Sequence, residues 1–290
     1  MCLLKIGLAL SGGGVRGIAH AGVLKALEEN GIRVSAIGGT SSGSLVASLY
    51  AMGYAPYYIY VLFKRNAKDL ISVDAAPILS GVGNFVTNKK VCVSGFNSGE
   101  NIEKAFNAIA LRKGVKRIRD IRMPLVIPAV DVVDSKEYIF TNCVPYNKEN
   151  YIMDAPVGVA VRASSSFPGV FCPCEYKSHR FLDGGVLDNV PVSEVKKIGA
   201  DRVIAVNFRA DDITDESNVM DITMRTIDIM GNKISEESLE QSDFVLTITT
   251  DKTGLLDIDN LDKCYKAGYR GALEKMPEIK QKLGIFYKKH

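Results

Sequence analysis

The chain begins with the same local plan twice: an apolar run, a glycine-rich turn, then a helix. "LLKIGLAL" leads through "SGGGVRG" into a helix from about Val15 to Asn30, which Gly31 stops. "RVSAIGG" leads through "TSSG" into the helix "SLVASLYAMG". Fully apolar strands joined to helices by such short connections belong to a parallel sheet covered on both faces. Further strands are predicted at Leu125–Asp131, Tyr138–Thr141, Arg180–Asp183, Arg202–Asn207 and Phe244–Thr249. Helices are predicted near Asn101–Leu111, at Ala155–Ala163, Val192–Ile198 and Asp221–Leu239, and after Asp259. The fold expected is α/β, a three-layer αβα arrangement around a central, mostly parallel sheet. With no repeat, low-complexity tract or linker, residues 1–290 read as one domain. The pattern degrades after Gly53, so a cap or lid is expected over about 53–100.

In the first turn Gly12, Gly14 and Gly17 form G-x-G-x-x-G after a strand, the spacing of a dinucleotide-binding loop. That reading requires an acidic residue about 20 positions further on to hold the ribose. Between Gly31 and Lys68 there is no Asp or Glu at all, and the second glycine turn occupies that place. The nucleotide reading loses its second half there.

The second turn reads Gly39-Thr40-Ser41-Ser42-Gly43, or G-x-S-x-G. A sharp strand-to-helix turn of this kind lifts a serine above the sheet and aims the following helix's N-terminal dipole at it. Ser41 is therefore a candidate nucleophile, the plainer alternative being a helix-capping serine. A serine attacking an ester generates an oxyanion that needs bare N–H donors, and Gly12, Gly13 and Gly14 at a helix start supply them. Arg16 is either solvated, or it braces this loop or meets an anionic substrate.

Such a serine needs a base. The three histidines offer little: His20 lies in the first helix, His290 is terminal, and His179 precedes a strand without the chain order of a Ser–Asp–His triad. Asp183 ends a strand and is followed by Gly184 and Gly185, which permit close backbone approach. If desolvated and within reach of Ser41 it can act as base; otherwise it closes an Asx-type turn. Asp188 is near, without that strand-end context.

The formal charge of +3 and the lack of aromatic–basic interleaving do not point to nucleic acid. The first ten residues are too short for a membrane span and lack a cleavage site, so they read as a buried strand of a cytoplasmic protein. The six cysteines are then expected to be reduced thiols, and no zinc spacing is present; neither metal nor cofactor is expected. Lys64, Arg65 and Lys68 beside "YYIYVLF", and "RKGVKRIR" at 112–119, are candidates for peripheral contact with an anionic membrane, the alternative being solvated basic faces.

Taken together, G-G-G-x-R-G at 12–17, G-x-S-x-G at 39–43 and Asp-Gly-Gly at 183–185 resemble the three motif blocks of the patatin-like phospholipase family. "AHAGVLKALEENG", "PLVIPAVDV", "ASSSFPGVFCP" and "LDNVPV" resemble it too, and the likeness runs to about Asn207. It implies a lipid acyl hydrolase with a lipid ester as substrate, Ser41 as nucleophile, Asp183 as base of a Ser–Asp dyad, and the Gly12–Gly14 backbone as oxyanion hole. Arg16, Gly17, Gly39, Gly43, Gly184 and Gly185 support the motifs. Ser166 stands where many members have alanine. The competing reading is an acyl- or lipid-binding module that turns over little.

Overall fold

The computed structural model describes residues 4–71, 97–143, 149–209, 219–250 and 257–285. Most of the expected cap, residues 72–96, lies outside the described residues, as do Cys2, Cys92 and His290.

The strands are β1 (Ile6–Leu10), β2 (Val34–Gly39), β3 (Leu125–Asp131), β4 (Lys136–Thr141), β5 (Tyr151–Ile152), β6 (Cys174–Tyr176), β7 (His179–Asp183), β8 (Arg202–Phe208) and β9 (Phe244–Ile248). Seven of them run in the order β5-β4-β3-β2-β1-β8-β9. The centre and one side are parallel, from β3 through β2, β1 and β8 to β9. β4 and β7 are both antiparallel to β3, and β6 is antiparallel to β7. The mostly parallel sheet expected from the short βα connections is present. β5 and β6, two and three residues long, have no counterpart in the sequence reading.

The helices are α1 (Ala19–Glu29), α2 (Ser42–Ala51), α3 (Pro56–Ile71), α4 (Glu100–Arg112), α5 (Val157–Ser164), α6 (Val192–Lys197), α7 (Val219–Glu240) and α8 (Leu261–Lys282). A 3-10 turn at Gly14–Ile18 replaces the first turn of the long helix expected from Val15. β1 shows how one strand serves two layers. Ile6, Leu8 and Leu10 point into the large core shared with α1, α2 and α8. Ala9 points into a smaller cluster with Val192 and Val195 of α6. Small residues dominate that second face: a Cβ on Gly7 would lie 2.5 Å from Val195 Cγ1. α6 can therefore approach the sheet closely.

α3, expected to begin a cap, instead belongs to the helical layer. Ile59 and Ala67 are buried there, and the helix packs on α1. Its apolar face at helical spacing buries like that of any layer helix.

The arrangement at β3 positions the site. One edge of β3 pairs with β2 only at Leu125 and Val126, because β2 ends at Gly39 and the chain turns away into α2. β7 takes over the same strand at Ala129–Asp131, with Asp183 opposite Ala129. The end of β7 thus arrives where β2 stops.

Candidate active site

Ser41 sits between β2 and α2 with φ 53° and ψ −125°, one of three described non-glycine residues at positive φ. A β-carbon is disfavoured in that conformation, so the surroundings must impose it. They do so from several directions. Gly43 N–H donates to the Thr40 carbonyl at 2.8 Å and Ser44 N–H to that of Ser41 at 2.9 Å. The Ser44 hydroxyl reaches the same Ser41 carbonyl at 2.6 Å. Ser41 N–H donates to Ser164 Oγ of α5 at 3.1 Å. A Cβ on Gly39 would lie 2.3 Å from the Gly43 carbonyl, and one on Gly43 would lie 2.5 Å from that of Leu10. Both motif glycines are therefore demanded by close backbone approach. Ser41 itself is half-buried and makes no side-chain cap on α2, so its hydroxyl is left to face the site.

Asp183 ends β7 and is 3% exposed. Burial pushes its carboxyl from 3.8 up to about 7, while the Ser41 hydroxyl and the Gly185 N–H pull it down. The Gly185 N–H donates to Oδ1 at 2.8 Å, and Oδ2 has no hydrogen bond of full geometry among the described residues. Ser41 thus faces the carboxylate in an approach that is not a closed hydrogen bond. Gly184 is required by packing, since a Cβ there would lie 2.5 Å from the Pro128 carbonyl.

The glycine loop lies on the other side of Ser41; a Cβ on Gly12 would come within 3.0 Å of the Ser41 Cβ. Gly12 N–H, expected as an oxyanion donor, is instead held by Asn189 Oδ1 at 2.9 Å. The donors left at this helix start are those of Gly13 and Gly14, which precede any intrahelical acceptor. Gly17 lies under the Ser41 turn, with the place of a Cβ taken by Ser42 at 2.3 Å from its Oγ.

Arg16 is not solvated. It is 3% exposed, donates to the Gly13 carbonyl at 3.2 Å and to that of Arg209 at 3.4 Å, and lies 5.5 Å from the Phe208 ring centroid. Of the alternatives, solvation is excluded, and Arg16 braces the loop through the Gly13 carbonyl.

The two described histidines, His20 and His179, stand apart from this site. His20 is fully buried against Phe208, with Nε2 2.9 Å from the Ser11 carbonyl, and burial lowers its pKa to about 4. A neutral ring in a fixed hydrogen bond is a packing residue. His179 pairs with Asp131 at 2.5 Å, at the opposite end of β7 from Asp183. His179 and Asp183 are four positions apart along the strand, about 13 Å.

Asn189, Ser164 and Arg162 were not singled out in the sequence reading. The signal for Asn189 was present in "LDNVPV", a polar residue between apolar ones just past Asp183. Arg162 is buried on α5 and donates to Ser166 Oγ at 2.7 Å and to the Cys172 carbonyl at 3.0 Å. No group of His, Cys, Asp and Glu able to hold a metal ion is found among the described residues, where four cysteines are free thiols. No helix of these residues is long and apolar enough to cross a membrane.

The basic candidates are mostly partnered. Lys64 pairs with Asp262 at 2.7 Å, and Arg117 and Arg119 pair with Asp154 at 3.2 and 2.7 Å. Lys113 donates to the Gly53 carbonyl at 3.1 Å, just beyond the end of α2 remote from Ser41. The Lys68 side chain lies outside the described residues.

Comparison with known proteins agrees with the motif order and the fold. The family model for patatin-like phospholipases matches residues 8–196. Lysophospholipase NTE1 of Meyerozyma guilliermondii is 31% identical over 91% of this chain and 19% of its own length. That of Candida albicans is 30% identical over 96% of this chain and 20% of its own. The chain thus spans about a fifth of the length of these curated relatives. VipD from Legionella pneumophila shares the fold with TM-score 0.53 at 15% identity, covering 95% of this chain and 67% of that one. ExoU in its complex with SpcU, from Pseudomonas aeruginosa, gives TM-score 0.52 at 18% identity, covering 96% and 52%. With its three glycine-framed motifs in order on this sheet, the chain belongs to the patatin-like phospholipase family.

Proposed function

We propose that this chain is a serine acyl hydrolase of lipid esters, with Ser41 as nucleophile, Asp183 as base and residues 1–290 acting as one catalytic unit. One observation carries the reading: a strained, half-buried serine faces a desolvated carboxyl whose pKa burial has brought to about 7. That value suits a base operating near neutral pH. Ser41 Oγ attacks the ester carbonyl carbon while its proton passes to Asp183. The carbonyl electron pair moves onto oxygen, close to the Gly13 and Gly14 N–H groups at a helix start. Collapse breaks the bond to the alcohol, which leaves with the proton from Asp183. Water then attacks the acyl-serine and gives a proton to Asp183. Release of the fatty acid returns that proton to Ser41 Oγ.

The name lysophospholipase carried by the curated relatives points to phospholipids and lysophospholipids as the first substrates to test. The decisive experiment labels the chain with a fluorophosphonate and sets a p-nitrophenyl ester chain-length series beside a panel of both lipids. Labelling that maps to Ser41, and ester cleavage lost in Ser41→Ala and Asp183→Asn, supports the reading. Wild-type rates in both variants overturn it, and lipid binding without labelling favours the binding module.

Peripheral contact with anionic lipid is a separate part of this proposal. Exposed Tyr57, Tyr58 and Leu111 accompany exposed Arg112 and Lys116, an interfacial composition. This surface lies near the remote end of α2, about 15 Å of helix from Ser41. Sedimentation with vesicles that shows no preference for anionic lipid excludes it.

A further inference from the structure

Asn189 lies in the segment that follows Asp183 and is 8% exposed. Its Oδ1 accepts the Gly12 N–H at 2.9 Å. Because Gly12 offers a hydrogen, the carboxamide must present its oxygen there. A Cβ on Gly12 would lie 2.7 Å from this oxygen and one on Gly185 3.2 Å from it. The carboxamide therefore fills the space between the glycine loop and the turn that carries Asp183. One residue earlier, the Asp188 carbonyl accepts the Thr40 hydroxyl at 2.8 Å. Two consecutive residues thus tie the base segment to the glycine loop and to the nucleophile turn.

Fixing the Gly12 N–H fixes the peptide that precedes the Gly13 and Gly14 amides. Amides preorganised toward a developing charge stabilise it far better than amides that must reorient. The identity of the side chain matters as well. A carboxylate of the same shape would accept the same hydrogen bond, but it would add a negative charge beside the carbonyl oxygen as that oxygen becomes an anion.

We propose that Asn189 is a positioning residue for ester hydrolysis, holding Gly12 so that the Gly13 and Gly14 N–H groups face the oxyanion while contributing no charge of its own. This rests on the hydrolase reading above.

The test compares wild type, Asn189→Ala and Asn189→Asp in hydrolysis of a short p-nitrophenyl ester, with thermal unfolding of each. The expected result for Asn189→Ala is a kcat lowered about tenfold or more with KM changed less than about threefold. Asn189→Asp keeps the acceptor and is expected to stay folded, with a lowered melting temperature because a carboxylate is buried there, and still to lose kcat. A role in folding alone predicts the opposite, full activity in Asn189→Asp. Wild-type kcat in a folded Asn189→Ala overturns the proposal; if that variant does not fold, wild-type kcat in Asn189→Asp overturns it. An active wild type that needs Ser41 but is indifferent to both changes sinks this inference alone. An inactive wild type sinks the hydrolase reading and this inference with it.

Discussion

Arg162 Nη1 donates to Ser166 Oγ at 2.7 Å, and that hydroxyl donates back to the Arg162 carbonyl at 2.8 Å. Both residues are buried, and the Ser166 carbonyl accepts the Asp183 N–H at 3.1 Å. The serine that stands where many family members have alanine is thus one partner of a buried guanidinium behind Asp183. Ser166→Ala is expected to cost about 1–2 kcal/mol, since a charged donor loses its acceptor. Arg162→Met, which strands several buried carbonyls, should cost about 2–4 kcal/mol. The two losses should overlap by about 1 kcal/mol in the double variant, read from urea midpoints. Strict additivity would show that the hydroxyl and the guanidinium do not depend on each other.

Ser41 adopts φ 53° and ψ −125°, a conformation that glycine tolerates and alanine does not. Ser41→Gly should therefore be more stable than Ser41→Ala by about 1 kcal/mol, although both lose ester hydrolysis by roughly 10³-fold or more. Differential scanning calorimetry of the pair checks the strain, independently of any substrate. Equal melting temperatures would place no strain at this residue.

What the sequence made legible follows from how local each requirement is. β1, β2, α2 and the Ser41 turn are fixed by neighbours in the chain, because an apolar run, a close-packed glycine turn and a helix start are all short-range demands. Asp183 was readable for the same reason, from its strand end and double glycine. Its meeting with Ser41 was implied by the family resemblance and not by any local pattern, because it depends on β7 replacing β2 along β3, a pairing of distant segments. The partner of the Gly12 N–H was hidden for a similar cause: its acceptor, Asn189, is 177 positions away. That Arg16 is not solvated became plain only from the Arg209 carbonyl and the Phe208 ring, at and just past the end of β8, which close around it. β5 and β6 were missed because two or three residues carry no periodicity.

The motif glycines differ in what they press against, and this separates their variants. A Cβ on Gly43 would lie 2.5 Å from the Leu10 carbonyl and 2.7 Å from that of Ser11, both fixed in or just past β1. Gly43→Ala should cost more than about 2 kcal/mol, and no single side-chain change should restore it. A Cβ on Gly17 would instead meet the Ser42 side chain, 2.5 Å from its Cβ. Gly17→Ala combined with Ser42→Gly should then show a favourable coupling of about 1 kcal/mol or more in chemical denaturation. A coupling near zero would mean that the backbone, and not Ser42, sets the limit at Gly17.

The raised pKa of Asp183 links activity and stability with opposite signs. Below about pH 4 the carboxyl is protonated in both folded and unfolded chains. Between pH 4 and 7 the unfolded chain ionises while the folded one keeps its proton, so this residue's contribution to stability declines as pH rises. Above about pH 7 the loss is complete. Asp183→Asn, which keeps an oxygen for the Gly185 N–H, should therefore be more stable than wild type at pH 8, by at most about 4 kcal/mol. The gain should vanish near pH 4. Taking the difference between variant and wild type removes His20, whose lowered pKa weakens the fold as pH falls from 6.5 toward 4 in both proteins. The same ionisation should give kcat/KM an acidic limb with its midpoint near pH 7, because only the carboxylate can accept the Ser41 proton. Urea unfolding at pH 4 and 8, run beside the pH–rate profile, measures both effects. An Asp183→Asn chain no more stable than wild type at pH 8 would show that the carboxylate is not paying a burial cost, and the midpoint near 7 would lose its physical basis.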